Sequence, residues 1–447
     1  MRLIDNLIIY GFIALNLIVG VLYGCRVKSI KEYSVSRQNY SEFVIVATVF
    51  ATVIGGGSTF GIVEKVYFSG FCYALVFCGM ALNRVWIGTL ISKNLKSFQQ
   101  CITVSEIMER HYGMQARKIT SFFGILTILG GFSAQTYTIG FILSQITGIS
   151  HLLGIMIGCG VLVTYSAFGG MRSVVATDVL QFCFIFALIP ILLFMAAENQ
   201  NQLTVFQQAF DSIVLKNFDI GMVGSFFVLL LASGDPAFLQ RIFLSKNVDL
   251  ISRSIRMTGY ISIVFYVIMG LLGILASQVM PGIDHSPLVP IIEKYIPIGF
   301  KGVLLCSLLA AIMSTADSGL NMIGISCGSD FNKNLSPQKK LAVARIATVL
   351  IGLFSSVVAT QFKNILDIIV FGFTFWGPSV FIPLMGSLMG YVVRIKDMYL
   401  GVFIGMGITV FWNMFLKNSL GGFEGAVIGM LFHGVYFGIK SYAHDKR

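Results

Sequence analysis

A chain of 447 residues that is 56% hydrophobic and only 11% charged has too few charges to solvate the surface of a soluble domain of that size. Its mean hydropathy of +0.84 points to an all-α polytopic membrane protein. The formal charge of +11 does not mark a nucleic-acid binder, because the basic residues gather in the loops on one side of the apolar runs.

About 13 apolar runs approach the ~20 residues that a spanning helix needs. They cover approximately residues 5–24, 43–62, 71–92, 119–146, 150–168, 176–196, 219–241, 256–278, 300–328, 342–361, 364–391, 398–416 and 422–439. With the N-terminus outside, most of the 31 lysines and arginines fall in inside loops, among them Arg26, Lys28, Lys31, Lys93, Lys96, Arg117, Lys118, Lys339, Lys340 and Lys440. That bias predicts a multi-pass protein of the plasma (inner) membrane with its C-terminus in the cytoplasm. The first run follows Met1-Arg2-Leu3-Ile4-Asp5-Asn6 and lacks a basic leader and an A-x-A site, so it reads as a retained helix, not a cleaved signal. The eight cysteines form no CxxC pair and read as packing residues.

The second run contains Gly55-Gly56-Gly57 followed by Ser58-Thr59. Each glycine costs a helix interior about 1 kcal/mol relative to alanine. A break here frees the carbonyls of Ala51 to Ile54, which an intact helix would bond to amides four residues on. Free carbonyls at membrane depth are tolerated only where they line a cavity or bind something; the alternative reading is close helix packing through small residues. Arg84 lies in the third run after Asn83, either as a functional charge or as a side chain snorkelling toward Lys93 and Lys96. Thr103 to Gly113 reads as a short amphipathic interfacial helix.

Beyond the fifth run, Thr177 and Asp178 are placed to cap the next helix. The seventh run ends in Gly234-Asp235-Pro236, which breaks a helix, and Asp235 is expected to anchor that end with Arg241. In the ninth run Ser314, Asp317, Ser318 and Asn321 fall at i, i+3, i+4 and i+7 and share one helix face. Such a stripe cannot face lipid. The carbonyl of Ala311 lies one turn before the hydroxyls of Ser314 and Thr315, so oxygens converge there as a small hard cation requires. The eleventh run carries Phe371 to Pro378, a glycine–proline interruption beside aromatics that is more often packing than a ligand cage. The tail Lys440 to Arg447 is too short for a soluble module, and residues 1–447 are expected to form one membrane domain. Five scattered histidines give no nucleophile–base pair or metal-ligand spacing, so an enzyme is not expected. Irregular second and seventh runs, five helices apart, suit two inverted five-helix repeats.

Taken together, Gly55-Gly56-Gly57-Ser58, the Thr103 to Gly113 segment, Gly169-Gly170 through Thr177-Asp178 and Gln181, and Ala310-Ala311-Ile312-Met313-Ser314-Thr315 resemble the sodium/solute symporter family, with Gln240-Arg241 and Ser245-Lys246-Asn247 a looser match. The resemblance implies an inverted-repeat transporter with repeats over about 43–196 and 219–391, and peripheral helices at 5–24, 398–416 and 422–439. It implies a transported Na+ held by the carbonyls of Ala51, Ile54 and Ala311 and the hydroxyls of Ser314 and Thr315, with no organic cofactor. The solute site is expected around Gly55, Gly56, Gly57, Ser58, Thr59 and Phe60, with Tyr137, Phe373 and Trp376 as candidate aromatic walls. Asp317, Ser318 and Asn321 are expected on the ion's release path, and Asp317 is also a candidate second cation or proton site. A small zwitterion or organic cation is favoured over a sugar, and a carboxylate gains weight if Arg84 faces the cavity. Proton coupling and a non-transporting sensor are the rivals within the same fold, and the partners expected are lipid, sodium and a small solute.

Overall fold

In the computed structural model, residues 3–36, 38–91, 94–198, 207, 211, 220–232, 234–284, 286–331, 334–361, 374–416 and 425–445 are described, side chains of 187–198, 220, 232, 444 and 445 excepted. The regular elements among them are helices. In chain order they are α1 (Leu3–Gly24), α2 (Ile30–Val35), α3 (Glu42–Val53), α4 (Ile62–Ser69), α5 (Cys72–Leu90), α6 (Val104–Thr147), α7 (His151–Glu198) and α8 (Ile220–Ala232). The second half holds α9 (Pro236–Gln240), α10 (Val248–Val279), α11 (Leu288–Tyr295), α12 (Phe300–Ser329), α13 (Pro337–Ala359), α14 (Ile382–Met389), α15 (Ile395–Phe415) and α16 (Gly425–Asp445).

Among the described residues nine helices are long and apolar enough to cross a membrane, or ten if the bent pair α3 and Gly57–Ser69 is counted as one span. That number is lower than the 13 runs read from sequence partly because some runs merge. Gly170, at φ 53° and ψ −153°, sits inside α7, which joins the predicted spans 150–168 and 176–196. The hydroxyls of Tyr165 and Thr177 both donate to Asp317 Oδ2, at 2.7 and 3.2 Å. Twelve residues of straight helix would hold them about 18 Å apart. The chain therefore doubles back at Gly170, where only glycine adopts the positive φ without strain. Gly113 (φ 81°) does the same in α6, since the hydroxyls of Ser105 and Ser121 lie 2.8 Å apart. The interfacial helix of residues 104–112 is thus the short arm of a hairpin. Of the predicted runs 364–391 and 422–439, only the parts from 374 and from 425 lie within the described residues.

Helix α12 occupies the middle of the bundle. Its most apolar window is 89% buried, against 28% for α1 and 22% for α15, and it packs on α3, α6, α7 and α13. Both its ends are tied to other helices. Asp5 of α1 accepts hydrogen bonds at Oδ1 from the amides of Gly299 and Gly302, each at 2.9 Å, and so caps the first turn of α12 from another helix. At the other end Asp330 pairs with Arg117 at 2.8 Å and accepts from Ser121 (2.6 Å) and Thr103 (3.0 Å). Arg117 also holds Glu106 and Glu109 on the hairpin's short arm, at 2.9 and 2.7 Å.

Candidate functional site

The three-glycine sequence does break its helix. Ile54 takes extended angles (φ −95°, ψ 100°) directly after α3, and a π-helical turn over Gly57–Gly61 leads into α4. The two limbs meet at 69°. Side chains hold the break in place of helical bonds. Ser58 Oγ accepts from the amide of Gly55 (2.8 Å), Thr59 Oγ1 donates to the Gly55 carbonyl (2.9 Å), and the amide of Gly56 donates to Gln135 Oε1 of α6 (3.0 Å). Gly55 is required by proximity: a Cβ there would lie 2.6 Å from Thr315 Oγ1 and 3.0 Å from Gln135 Nε2.

That approach sets α3 against the polar face of α12. Ser314 Oγ donates to the carbonyls of Ala51 (2.7 Å) and Ala311 (3.0 Å), and Thr315 Oγ1 donates to Ala311 (3.3 Å). Four of the five oxygens expected around sodium are thereby linked in a chain, Ala51 to Ser314 to Ala311 to Thr315, and the fifth, the carbonyl of Ile54, belongs to the extended residue that ends α3. All are neutral. The described residues hold no group of three His, Cys, Asp or Glu side chains suited to a metal. An all-neutral oxygen set fits a monovalent hard cation held weakly enough to be released.

The rest of the α12 stripe faces protein, as its spacing requires. Thr52 and Ser318 hydroxyls are 3.1 Å apart, Asp317 accepts from Tyr165 and Thr177, and Asn321 Nδ2 donates to the Tyr33 carbonyl at 3.5 Å. Arg241 donates to Ser318 Oγ and, at 3.4 Å, to Asp178 Oδ2, which also accepts from Thr48. Two expectations fail here. Thr177 and Asp178 are not caps: they lie two turns into the second limb of α7, and their side chains reach α12, α3 and Arg241. Nor does Arg241 anchor Asp235; it pairs with Asp178, while Asp235 Oδ1 accepts the amide of Phe238 at 2.9 Å and caps α9. Tyr165 and Gln135 are polar residues of this site that sequence reading passed over, one a lone hydroxyl in an apolar run and the other a lone amide.

Above the break lies a cavity of about 430 Å³, walled by Gly55, Gly57 and Ser58 from the break, Thr315 of α12, and Gln135 of α6 among largely apolar side chains. Of the other expected solute contacts, Gly56 turns to Gln135, while Thr59 and Phe60 are buried behind the break. Tyr137 packs its ring edge-on against His151, centroids 4.6 Å apart, and Trp376 is buried with Nε1 donating to the Gly234 carbonyl at 2.8 Å. None of these five is a cavity-lining residue. Phe373 lies outside the described residues. Arg84 and Asp235 both line the cavity. Arg84 is fully buried, so it does not snorkel toward the loop, and its guanidinium sits 5.6 Å from the centroid of the Phe238 ring.

The pattern of the sodium:solute symporter family matches residues 33–406. A high-affinity proline transporter of Bacillus subtilis is 24% identical over 93% of this chain and 94% of its own length. A high-affinity choline transporter of Caenorhabditis elegans is 24% identical over 79% of this chain and 68% of its own length. The solved structure of a Na+-coupled sialic acid symporter in a substrate-bound, outward-open state superposes with a TM-score of 0.86, at 19% identity, over 99% of this chain and 98% of that one.

Proposed function

The chain belongs to the sodium:solute symporter family, and from that premise we propose that Na+ binds where the broken α3 meets α12 and couples there to a solute held in the cavity above. The family consists of transporters, not enzymes, and the chain is a multi-pass Na+-coupled membrane transporter. The observation that carries the ion site is the 2.7 Å contact of Ser314 Oγ with the Ala51 carbonyl across two helices, beside the Ala311 carbonyl that Ser314 and Thr315 share at 3.0 and 3.3 Å. With the N-terminus outside, the ion enters beside the break and leaves past Asp317, Ser318 and Asn321.

Coupling follows from geometry. Gly55 contributes to the cavity wall, and it lies against Thr315, one of the proposed ion ligands. Sodium that draws the α3 carbonyls onto α12 fixes the wall against which the solute rests, and a bound solute in turn holds the break in its ion-binding form. One charge moving down ~100 mV releases about 2.3 kcal/mol, and a tenfold sodium gradient adds about 1.4. Together they sustain roughly several-hundred-fold accumulation of a neutral solute. Arg84 and Asp235, side chains of opposite charge on the cavity wall, support a small zwitterion or organic cation over a sugar, and relatives named for proline and choline agree with that class.

The test is the thermal stability of the purified protein in sodium against potassium, since a ligand of the folded state raises stability by RT ln(1 + [L]/Kd). A sodium-specific rise that disappears in Ser314→Ala/Thr315→Ala supports the site. No rise in the unaltered protein rejects sodium coupling here and turns attention to protons at Asp317.

A further inference from the structure

Arg84 carries a charge that the fold itself leaves without a partner. Its residue is fully buried in α5, and its Nη1 donates to the Met80 carbonyl one turn back. Its Nε and Nη2 are buried and have no hydrogen-bond partner. No ion pair forms between Arg84 and Asp235 within 4 Å, although both line the same cavity. A guanidinium at membrane depth, with two donors idle, is expensive unless something completes it. The planar fork formed by Nε and Nη2 matches one functional group best, a carboxylate bound through both oxygens.

We infer that Arg84 is the counter-charge for a carboxylate on the transported solute. The inference rests on the reading of the cavity as the solute site and narrows its cargo to carboxylate-bearing molecules. The ring of Phe238 lies 5.6 Å from the guanidinium. Asp235 offers an acceptor elsewhere on the same wall, so an amino-acid-like solute spans the two with its carboxylate on Arg84 and its cationic end toward Asp235. Gly55 and Thr315 line the same cavity, which places the carboxylate's carrier against the wall that sodium shapes. A cation such as choline, with no carboxylate, would leave the guanidinium as lonely as before and bring a like charge near it.

The experiment uses the full-length purified protein in sodium and reads the added thermal stabilisation from solutes in matched pairs. The pairs are L-proline with L-prolinamide, glycine betaine with choline, and N-acetylneuraminate with N-acetylmannosamine, with chloride replaced by methanesulfonate, which has no carboxylate, throughout in a parallel series. The expected result is a response to one or more carboxylate members and none to their partners, with or without chloride. In Arg84→Gln the apparent Kd for that solute rises at least about thirtyfold, the scale for truncating one side of a buried charge pair. Arg84→Lys, which keeps the charge and loses the fork, recovers part of the affinity; it also serves if the glutamine variant does not fold. The stabilisation by sodium alone, measured in each variant, reports whether the ion site survives. Four results overturn the assignment while leaving sodium coupling in place: a response to a carboxylate-free member equal to its partner's, an Arg84→Gln variant with unchanged solute affinity, a response to chloride alone, or sodium binding with no response to any carboxylate. Loss of the sodium response in the unaltered protein refutes the underlying reading instead.

Discussion

Gly55→Ala puts a single methyl group between the broken helix and α12. The new carbon would lie 2.6 Å from Thr315 Oγ1 and 3.0 Å from Gln135 Nε2. Neither the backbone of α3 nor the β-branched Thr315 offers a flexible end to absorb the overlap, so the hydroxyl must retreat by about half an ångström or rotate away. Overpacking of this kind costs about 1–3 kcal/mol. The cost falls on the arrangement in which α3 and α12 are closest, which is the proposed sodium-binding one, and predicts sodium affinity weaker by roughly 5- to 150-fold. Gly56→Ala is the matched control. Its Cβ meets Gln135 Oε1 at 3.1 Å and Thr138 Oγ1 at 3.2 Å, small overlaps with side-chain ends, and Gly56 already has helical angles (φ −56°, ψ −39°). Sodium titrations followed by thermal stability in a constant total of sodium plus potassium give the midpoint for each variant. A Gly55→Ala midpoint equal to that of the unaltered protein, or equal to that of Gly56→Ala, refutes the claim that close approach at Gly55 assembles the ion site.

Two further outcomes follow from the buried polar contacts. Asp317→Asn keeps the shape of the acceptor for Tyr165 (2.7 Å) but removes its charge, and sodium release or coupling should change: the sodium dependence of initial uptake rates should shift or uptake should slow several-fold. Sodium dependence identical to the unaltered protein removes Asp317 from the ion path. Arg117→Gln strips the cation shared by Glu106, Glu109 and Asp330 and leaves Asp330 buried and unpaired, a loss of about 3–5 kcal/mol by the scale for broken buried pairs. Amide exchange should accelerate in residues 104–121 before it does elsewhere; protection equal to the unaltered protein's would show that the hairpin is held by packing alone.

How much was legible in the sequence depended on whether the signal was local. The stripe Ser314, Asp317, Ser318 and Asn321 and the run Gly55-Gly56-Gly57 each sit within about two helical turns, and helical periodicity together with glycine's low propensity is enough to read them. The reversals at Gly113 and Gly170 were not legible. A glycine in an apolar run looks the same whether the helix passes through it or turns there, and only the distant pairs Ser105–Ser121 and Tyr165–Thr177 reveal which. Partner choice was the other gap. Arg241 lies six residues from Asp235 in sequence, yet it reaches Asp178, 63 positions away, because the Gly-Asp-Pro turn spends the nearer carboxylate on capping α9. Tyr137 read as an aromatic wall for the same reason of distance: its neighbour His151, across the turn between α6 and α7, claims the ring.

The fastening of α12 at both ends gives the bundle a mechanical character. Asp5 grips its first turn and Arg117 its last residue's neighbour, so the 30-residue helix is a strut clamped top and bottom. The α3 break beside it is a hinge held by single neutral hydrogen bonds, from the Gly56 amide to Gln135 at its pivot and from the Tyr67 hydroxyl to the Met280 carbonyl near the limb's end. The limb beyond the hinge, Gly57–Ser69, has 13 residues and extends about 20 Å. A rotation of only about 10° at Ile54 to Gly56 would carry its far end through about 3 Å by lever arithmetic on that length. An ion lodged at the hinge, where the arm is shortest, thus moves hardly at all while the far end of the limb travels farthest.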